Sequence, residues 1–366
     1  MLKNIRLRFL AKLRYDNTIN INGVLINNMK DIATLEQYAI ELCDDGIYNH
    51  YGMYTTNKKD ALFPVKVSNI ELSLMPSAEF SRFLYRGQNE YFDICKPMIL
   101  RPMKYEMKLI SILKKLEFIN ALKVHPLSKL FKEKYFLEKY SQFPNYKLKI
   151  DYEAIAQHYE FKTNHLDFTR DKDIAMFFMT CKYDPKTKKY TPITDNSSGV
   201  LYSYDLKLGI MDNEHIVNPI GFQPFSRPDK QKAFSIVFSK NVNFNKFNFA
   251  IKEDIILTKE LSEKYFEIFD EGKKLFPKDE VSELAYEIQD SEYISKDTIE
   301  YYSTISRISK LKINKILKKN NIIVTENKYG FNICDTNLHM QNVIKIMQDL
   351  DNRIHPRGIC GHIQIP

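Results

Sequence analysis

Helical and extended segments follow one another along this chain in an irregular order, and this order restricts the folds that it can adopt. Tyr152–Tyr159 has apolar residues at helical spacing, and the short extended run His165–Thr169 follows it. Two further extended runs, Val200–Tyr204 and Ala233–Phe238, are separated by a loop rich in proline. A parallel sheet of βαβ units needs regular alternation, which is missing here. We therefore predict an α+β fold with a mixed or antiparallel sheet core and flanking helices.

The composition is that of a folded protein without a membrane span. The chain has 366 residues, of which 44% are hydrophobic and 27% are charged. Its longest apolar stretches, such as Ile174–Met179 and Phe234–Phe238, are far shorter than the roughly 20 residues that cross a bilayer. The five cysteines are odd in number and form no CxxC pair, so we expect reduced thiols, a cytoplasmic location and no membrane partner.

Three regions are expected along the chain. Residues 1–30 form a lead-in, residues 31–290 form the main domain, and residues 291–366 form a mostly helical C-terminal appendage. Within the main domain, Asp31–Cys43 has helical spacing, whereas Lys58–Pro76 has no sustained period and predicts a loop with one short strand at most. The helices expected near and in the appendage are Val281–Gln289, Thr298–Lys319 and Leu338–Leu350.

One of these tail segments is strongly basic. The whole chain carries 54 basic and 46 acidic residues, a net charge of +8. Between Tyr301 and Thr325 there is no acidic residue, and the cations in that stretch are Arg307, Lys310, Lys312, Lys315, Lys318 and Lys319. Such a helix can hold an anionic partner, either RNA, DNA or an acidic protein. It can equally be a solvated lysine face over an apolar stripe, and both interpretations stay open.

A first group of candidate site residues is Tyr85-Arg86-Gly87-Gln88, at the end of an extended run. An arginine at a strand end can hold a phosphate or a carboxylate through two parallel hydrogen bonds, and the adjacent glycine allows a ligand or another backbone to approach. The structural alternative is a buried arginine that pairs with a carboxylate, for which Asp167 is the candidate.

Two further groups place imidazole, carboxylate, hydroxyl and amide groups near the same elements. The first lies in residues 154–178 and the second in residues 227–238. From them and the first group we predict His158, Asp167 and Gln231 as catalytic residues, and as ligand-binding residues Tyr85, Arg86, Gly87, Gln88, Thr163, Thr169 and Arg227. In the structural alternative His158 is a packing histidine and Thr169 is a helix cap. We predict no metal site, because His355, Cys360 and His362 match no established ligand spacing.

Over roughly residues 30–290 these groups resemble the FRG domain, a bacterial family with a Phe-Arg-Gly-Gln signature. The matching residues are Tyr85-Arg86-Gly87-Gln88, Ala156-Gln157-His158-Tyr159, then Thr163, Leu166, Asp167 and Thr169, then Arg227, Gln231 and Phe234, and last Leu275-Phe276-Pro277 with Leu284-Ala285. The chain departs from the pattern at Glu160, where the family prefers glycine, and at Asn164, His165 and Phe168, where it has arginine, leucine and tryptophan.

The order of these motifs is also similar to the three-part layout of ADP-ribosyltransferase-like domains. The resemblance implies that Arg86 holds the phosphates of NAD, that a Ser/Thr strand frames nicotinamide, and that an acid stabilises the oxocarbenium-like transition state. Gln231 stands where that acid is expected, and glutamine cannot supply its charge. We expect an NAD- or nucleotide-handling effector of a bacterial phage-defence or toxin system, acting by ADP-ribosyl transfer or NAD cleavage. The alternative is a non-catalytic module that recognises a nucleotide or a nucleic acid.

Overall fold

The computed structural model describes residues 19–21, 24–26, 60–68, 70–76, 83–132, 146–205, 216–238, 242–247, 250–326, 329 and 336–354. The strands in these ranges are β1 (Ile19–Ile21), β2 (Val24–Ile26), β3 (Leu62–Lys66), β4 (Glu71–Pro76), β5 (Phe83–Gln88), β6 (Lys147–Leu148), β7 (His165–Thr169), β8 (Cys181–Asp184), β9 (Lys189–Pro192), β10 (Ser198–Asp205), β11 (Ile216–Pro219), β12 (Ala233–Val237), β13 (Ala250–Ile256), β14 (Tyr293–Ser295) and β15 (Ile323–Thr325). The α-helices there are α1 (Tyr105–Val124), α2 (Pro126–Lys132), α3 (Tyr152–His158), α4 (Lys172–Thr180), α5 (Ser226–Lys230), α6 (Lys259–Ile268), α7 (Glu280–Asp290), α8 (Lys296–Ser306), α9 (Lys310–Lys319) and α10 (Thr336–Arg353).

The chain divides into two compact units. The first unit consists of residues 1–81, 130–149 and 340–366, and the second unit consists of residues 82–129 and 150–339. Every candidate site residue lies in the second unit. The domain boundaries near residues 30 and 290 stay a prediction.

The first unit contains a small sheet that the sequence did not reveal. In it β3 pairs antiparallel with β4, and β4 pairs parallel with β6. The expectation of a loop with at most one strand over residues 58–76 is therefore wrong. Residues 72–75 of β4 are all buried, so both faces of this strand are covered and it lacks the alternation of buried and exposed residues that marks a half-buried strand. Pro64 lies in β3, at one edge of this sheet, where a proline costs no ladder hydrogen bond.

The second unit is built on a six-stranded sheet in the order β11-β12-β7-β5-β10-β13, with antiparallel pairing throughout. Together with the helices this confirms the predicted α+β class. The predicted helix at Tyr152–Tyr159 and the strand His165–Thr169 are confirmed as α3 and β7. The run Val200–Tyr204 is confirmed as part of β10, and the run Ala233–Phe238 as β12, which ends one residue earlier.

The two faces of this sheet bury different apolar clusters. On one face Leu84, Leu166 and Tyr202 pack with the aromatic side chains of Phe168, Phe234, Phe238, Phe244 and Phe247. On the other face helix α4 packs its apolar residues against Leu201 and Tyr85. Side chains of a strand alternate between faces, so Arg86 and Gln88 lie on the Leu84 face, and Tyr85 and Gly87 lie on the α4 face.

The basic tail segment is two helices and not one. Helix α8 ends at Arg307, whose φ of 59° is left-handed, and α9 starts at its N-cap Ser309, so the single helix predicted over Thr298–Lys319 is wrong. The helices bury Ile299, Ile313 and Leu317 against Leu109, Ile110 and Leu113 of α1. The cations are also not all uncompensated, because Lys310 pairs with Glu300 (Nζ to Oε1 2.6 Å) and Lys319 with Glu106 (Nζ to Oε1 3.3 Å).

Two further predictions concern residues that the structure does not describe. The helix predicted over Asp31–Cys43 and the triplet His355, Cys360 and His362 lie outside the described residues. Among the helices that are described, none combines the length and the apolar composition that a transmembrane helix requires.

The packing of Gly87 on α4 generates a first prediction. A Cβ at residue 87 would lie 1.8 Å from the main-chain oxygen of Ala175, which belongs to a helix backbone and cannot rotate away. We expect Gly87→Ala to lower the free energy of unfolding by about 3 kcal/mol, measured by urea denaturation, because α4 must shift off the sheet.

Gly199→Ala is the matched control, since its Cβ meets mainly the flexible side chains of Met179 and Leu257 at 2.7 and 2.8 Å. We expect a smaller loss for this variant. Equal losses in the two variants would contradict a specific role of the α4 backbone at Gly87.

Candidate ligand-binding site

The candidate site is centred on a discontinuity in the six-stranded sheet. Strands β5 and β7 are neighbours, but they share the single residue pair Tyr85↔Thr169, whereas β5 and β10 share six pairs and β7 and β12 share five. Arg86 follows directly after that pair. Its Nη1 donates a hydrogen bond to the main-chain oxygen of Asp167 (2.8 Å), so a side chain bridges the two strands where their ladder has ended.

The Asp167 side chain is held from helix α3. Gln157 Nε2 donates to Asp167 Oδ2 at 2.8 Å. The orientation of the Gln157 amide is fixed in turn, because Thr163 Oγ1 donates to its Oε1. Thr163 Oγ1 also accepts from the main-chain nitrogen of His165 (3.0 Å). Arg86, Asp167, Gln157 and Thr163 thus form one connected polar chain across β5, β7 and α3.

A second chain of contacts lies behind the first and fixes the tautomer of His158. Gln231 Nε2 donates to the main-chain oxygen of Leu275 (3.2 Å), so Gln231 Oε1 is the atom that faces His158 Nδ1, at 2.8 Å. Since a carbonyl oxygen can only accept, Nδ1 carries the proton. In the neutral ring Nε2 is then an acceptor, and it is buried without a partner in the described part of the chain.

Arg227 supports this second chain of contacts through stacking. Its guanidinium lies 4.4 Å from the ring centre of Tyr159 and 5.6 Å from that of Phe276, and Nη1 donates to the main-chain oxygen of His158 (3.4 Å). Tyr159 donates to Asp279 Oδ2 (3.0 Å), the residue that caps α7. Burial and the neighbouring Asp279 hold the pKa of Tyr159 well above its usual range, so the phenol stays protonated.

Comparison with known protein families decides what these residues belong to. The model of the FRG domain matches residues 81–188, which run from β5 to the turn after β8. The chain contains an FRG domain. No curated protein and no solved structure gave a significant match. The matched segment includes Arg86, His158 and Asp167, whereas Arg227 and Gln231 lie outside it and join the FRG residues only through their contacts.

Accessibility separates the candidate site residues into two layers. Tyr85, Arg86, Gly87, Gln157 and Asp167 are half-buried and form the accessible layer, although the individual atoms Arg86 Nε and Asp167 Oδ1 are buried. The buried members are Gln88, His158, Thr163, Thr169, Arg227 and Gln231, each 6% exposed or less. The buried layer orients the accessible one. The catalytic roles of His158, Asp167 and Gln231 stay predictions, and of these three only Asp167 is accessible.

Two of the predicted ligand-binding residues have clear structural tasks. Gly87 allows the backbone of α4 to approach the sheet, as its contact with Ala175 shows. Thr169 pairs with Tyr85 across the strands, and its Oγ1 accepts from the main-chain nitrogen of Asp171 (3.1 Å). Asp171 is the residue that caps α4, so the structural alternative in which Thr169 is the helix cap is wrong.

Glu160 is the residue of this FRG domain whose importance sequence reasoning missed. It follows the C-cap of α3 with a φ of 69°, in the left-handed region that favours glycine, which explains the family's preference at this position. Burial of its carboxyl group raises its pKa to about 7, against the nearby charge of Arg227, which lowers it. The only sequence signal was the departure from glycine.

This raised pKa predicts a pH-dependent stability. The folded-state pKa lies above the ordinary value of 4.5. The contribution of protonated Glu160 to the free energy of unfolding is therefore fully present below about pH 4.5 and is lost as the pH rises through 7. We expect wild type to lose about 1–3 kcal/mol of unfolding free energy relative to Glu160→Gln between pH 5 and pH 8, measured by urea denaturation.

The histidines are the same in wild type and Glu160→Gln, so their contribution to the pH dependence cancels when the two unfolding free energies are subtracted. Glu160→Gly is the second comparison, and it should be at least as stable as Glu160→Gln because glycine adopts a positive φ freely. A difference between wild type and Glu160→Gln that is the same at both pH values would show that Glu160 keeps an ordinary pKa.

Proposed function

We propose that the FRG domain binds a phosphate-bearing ligand of the nucleotide class at the edge where β5 and β7 stop pairing. The observation that carries the proposal is the state of Arg86. Its guanidinium is half-buried and, within the described residues, contacts a main-chain carbonyl but no carboxylate. A permanently charged, partly desolvated group of this kind is matched by an anion, and phosphate fits its planar donors.

The structural alternative for Arg86 needed an ion pair with Asp167. The contact between these residues runs instead through the Asp167 main-chain oxygen, and the carboxylate of Asp167 accepts from Gln157. Main-chain carbonyls do not neutralise a guanidinium charge. The Asp167 carboxylate therefore positions Gln157 without cancelling the charge of Arg86.

Three buried polar atoms near this edge support a ligand site. Arg86 Nε, Asp167 Oδ1 and His158 Nε2 have no hydrogen-bond partner among the described residues. Most buried polar atoms of native proteins are paired, and unpaired ones need water, an ion or a ligand. Arg86 Nε is a donor on the Leu84 face, whereas Asp167, which stands between Leu166 and Phe168 of that face, carries its acceptor on the other face. A ligand that meets both must therefore reach through the gap between β5 and β7, with phosphate oxygens at Arg86 and hydroxyl or amide hydrogens at the two acceptors, as a nucleotide can.

The binding proposal predicts the effect of removing the guanidinium. Arg86→Ala should weaken ADP binding at least 30-fold, equivalent to about 2 kcal/mol or more, measured by calorimetry. Its melting temperature without ligand should change little, because the lost contact is one hydrogen bond. Lys104→Ala removes one exposed positive charge from the same domain and should bind ADP like wild type.

A different pattern would contradict this role. If Arg86→Ala melts far below wild type and the wild-type protein shows no ligand-dependent change in melting temperature, then Arg86 is a structural residue and the proposed nucleotide site is wrong.

A second candidate function is NAD cleavage, favoured by Asp167 Oδ1, a carboxylate oxygen that has no hydrogen-bond partner among the described residues. Hydrolysis breaks the bond between the ribose C1′ and nicotinamide, water adds at C1′, and nicotinamide, ADP-ribose and a proton are released. A carboxylate beside C1′ stabilises the positive charge that develops there. Gln231 cannot do this, since both ends of its amide are engaged by His158 and Leu275. We assign the stabilisation of this charge to Asp167. For the whole protein we propose a cytoplasmic effector role in bacterial phage defence or in a toxin system.

This second function has its own prediction. Asp167→Asn should lower the rate of nicotinamide release from NAD at least 100-fold, with NAD affinity within about threefold of wild type, because asparagine keeps the shape and loses the charge. Asp173→Asn, at an exposed position of α4, is the matched control. A wild-type protein that binds NAD but releases no nicotinamide would leave the non-catalytic binding module as the function.

The basic tail gives weaker support for a nucleic-acid or acidic-protein partner. Lys310 and Lys319 are engaged by acidic side chains, and Lys312 lies 5.5 Å from the ring centre of Tyr105. Arg307, Lys315 and Lys318 are exposed and make no ion pair within the described ranges. Three such cations beside a buried apolar stripe are typical of a solvated face.

A further inference from the structure

We propose that Arg101 is a second phosphate-binding residue of the FRG domain and that, together with Arg86, it makes the site select a diphosphate over a monophosphate. This inference rests on the proposed nucleotide site and names the part of the ligand that the site distinguishes.

The chain that follows β5 brings Arg101 back to the face of the sheet on which Arg86 lies. Gln88, two residues after Arg86 on this face, has its Nε2 3.8 Å from Cys95 Sγ. The main-chain nitrogen of Cys95 donates to Asn243 Oδ1 (2.9 Å), which anchors this segment. Arg101 Nε then donates to the main-chain oxygen of Lys96 (3.0 Å), the residue after Cys95.

Arg101 shares with Arg86 the lack of a carboxylate partner among the described residues. Its guanidinium lies 5.8 Å from the ring centre of Phe92. Burial and then the nearby charge of Arg86 lower the pKa of Arg101, in agreement with the short path between them along β5. Each of these two like charges is tethered by one main-chain carbonyl, Lys96 or Asp167. An anion between them removes the repulsion.

A buried acceptor beside the two arginines is an independent sign of a ligand. Gln88 is 6% exposed, and its Oε1 has no hydrogen-bond partner in the described part of the chain. The contact of its Nε2 with a thiol sulfur is a weak hydrogen bond. An amide oxygen cannot bind phosphate, so it calls for a donor on the same ligand, such as a ribose hydroxyl. Phosphates next to a hydroxyl describe a nucleoside phosphate.

The number of guanidinium groups points to two phosphate groups. Arg86 and Arg101 are tethered to separate elements, β7 and the segment after β5, and each keeps further N–H groups for a ligand. Guanidinium groups bind phosphate best through two parallel hydrogen bonds, which favours one phosphate for each arginine.

The test compares nucleotides that differ by one phosphate. Arg101→Ala should weaken the binding of ADP at least tenfold and that of AMP less than threefold, measured by calorimetry with the full chain. Arg101→Lys keeps the charge but loses the two parallel donors of the guanidinium, so its affinity for ADP should lie between those of wild type and Arg101→Ala. Lys104→Ala, three residues away and exposed, should leave both affinities unchanged.

Each other outcome is decisive. If Arg101→Ala binds ADP like wild type, or loses ADP and AMP equally, the inference is wrong while the nucleotide site stands. If Arg101→Ala does not fold, the ratio of ADP to AMP affinity in Arg101→Lys decides in the same way. If wild type binds neither nucleotide, the proposed function fails, and inorganic pyrophosphate becomes the probe. Binding of pyrophosphate by wild type, lost in Arg101→Lys, supports the two-arginine site. A wild-type protein that does not bind pyrophosphate overturns the two-arginine site.

Discussion

The hydrogen bond from Arg86 to the main-chain oxygen of Asp167 is the contact on which the candidate site depends. It crosses between β5 and β7 just beyond the single residue pair that joins them, so a charged side chain replaces the next step of a main-chain ladder. A continued ladder would have paired neutral main-chain N–H and C=O groups of β5 and β7 here. The substitution of a guanidinium leaves a positive charge at a gap in the sheet, and the ligand chemistry that we propose follows from that charge.

The polar residues behind Arg86 serve the geometry of this edge. Thr163 orients Gln157, Gln157 holds Asp167, and Leu275 orients Gln231, which sets the tautomer of His158. Such chains fix each side chain in one rotamer, so the accessible groups meet a ligand without first paying conformational entropy. The atoms left unpaired at the end of each chain are the ones that a ligand can engage.

The same arrangement has energetic costs that a purely structural core would avoid. Arg86 and Arg101 repel each other without a compensating carboxylate among the described residues, and Glu160 combines a left-handed backbone with a partly desolvated carboxyl group. Costs of this kind persist in proteins where they serve a function. A bound anion would relieve the first cost, so ligand binding and stability should be coupled in this domain.

The sequence by itself determined the α+β class, the elements from α3 to β7, and the FRG signature, because each depends on local periodicity or on the order of neighbouring residues. It could not show β4, whose faces are both buried, or the break at Arg307, where a non-glycine residue is left-handed. Only the tertiary structure decided that Asp167 meets Arg86 through its carbonyl, that His158 and Gln231 lie in the buried layer, and that the Leu84 face also carries Cys95 and Leu100 of the segment leading to Arg101. These contacts join residues far apart in the chain, and spacing along a sequence carries no information about which atom of a residue faces which neighbour.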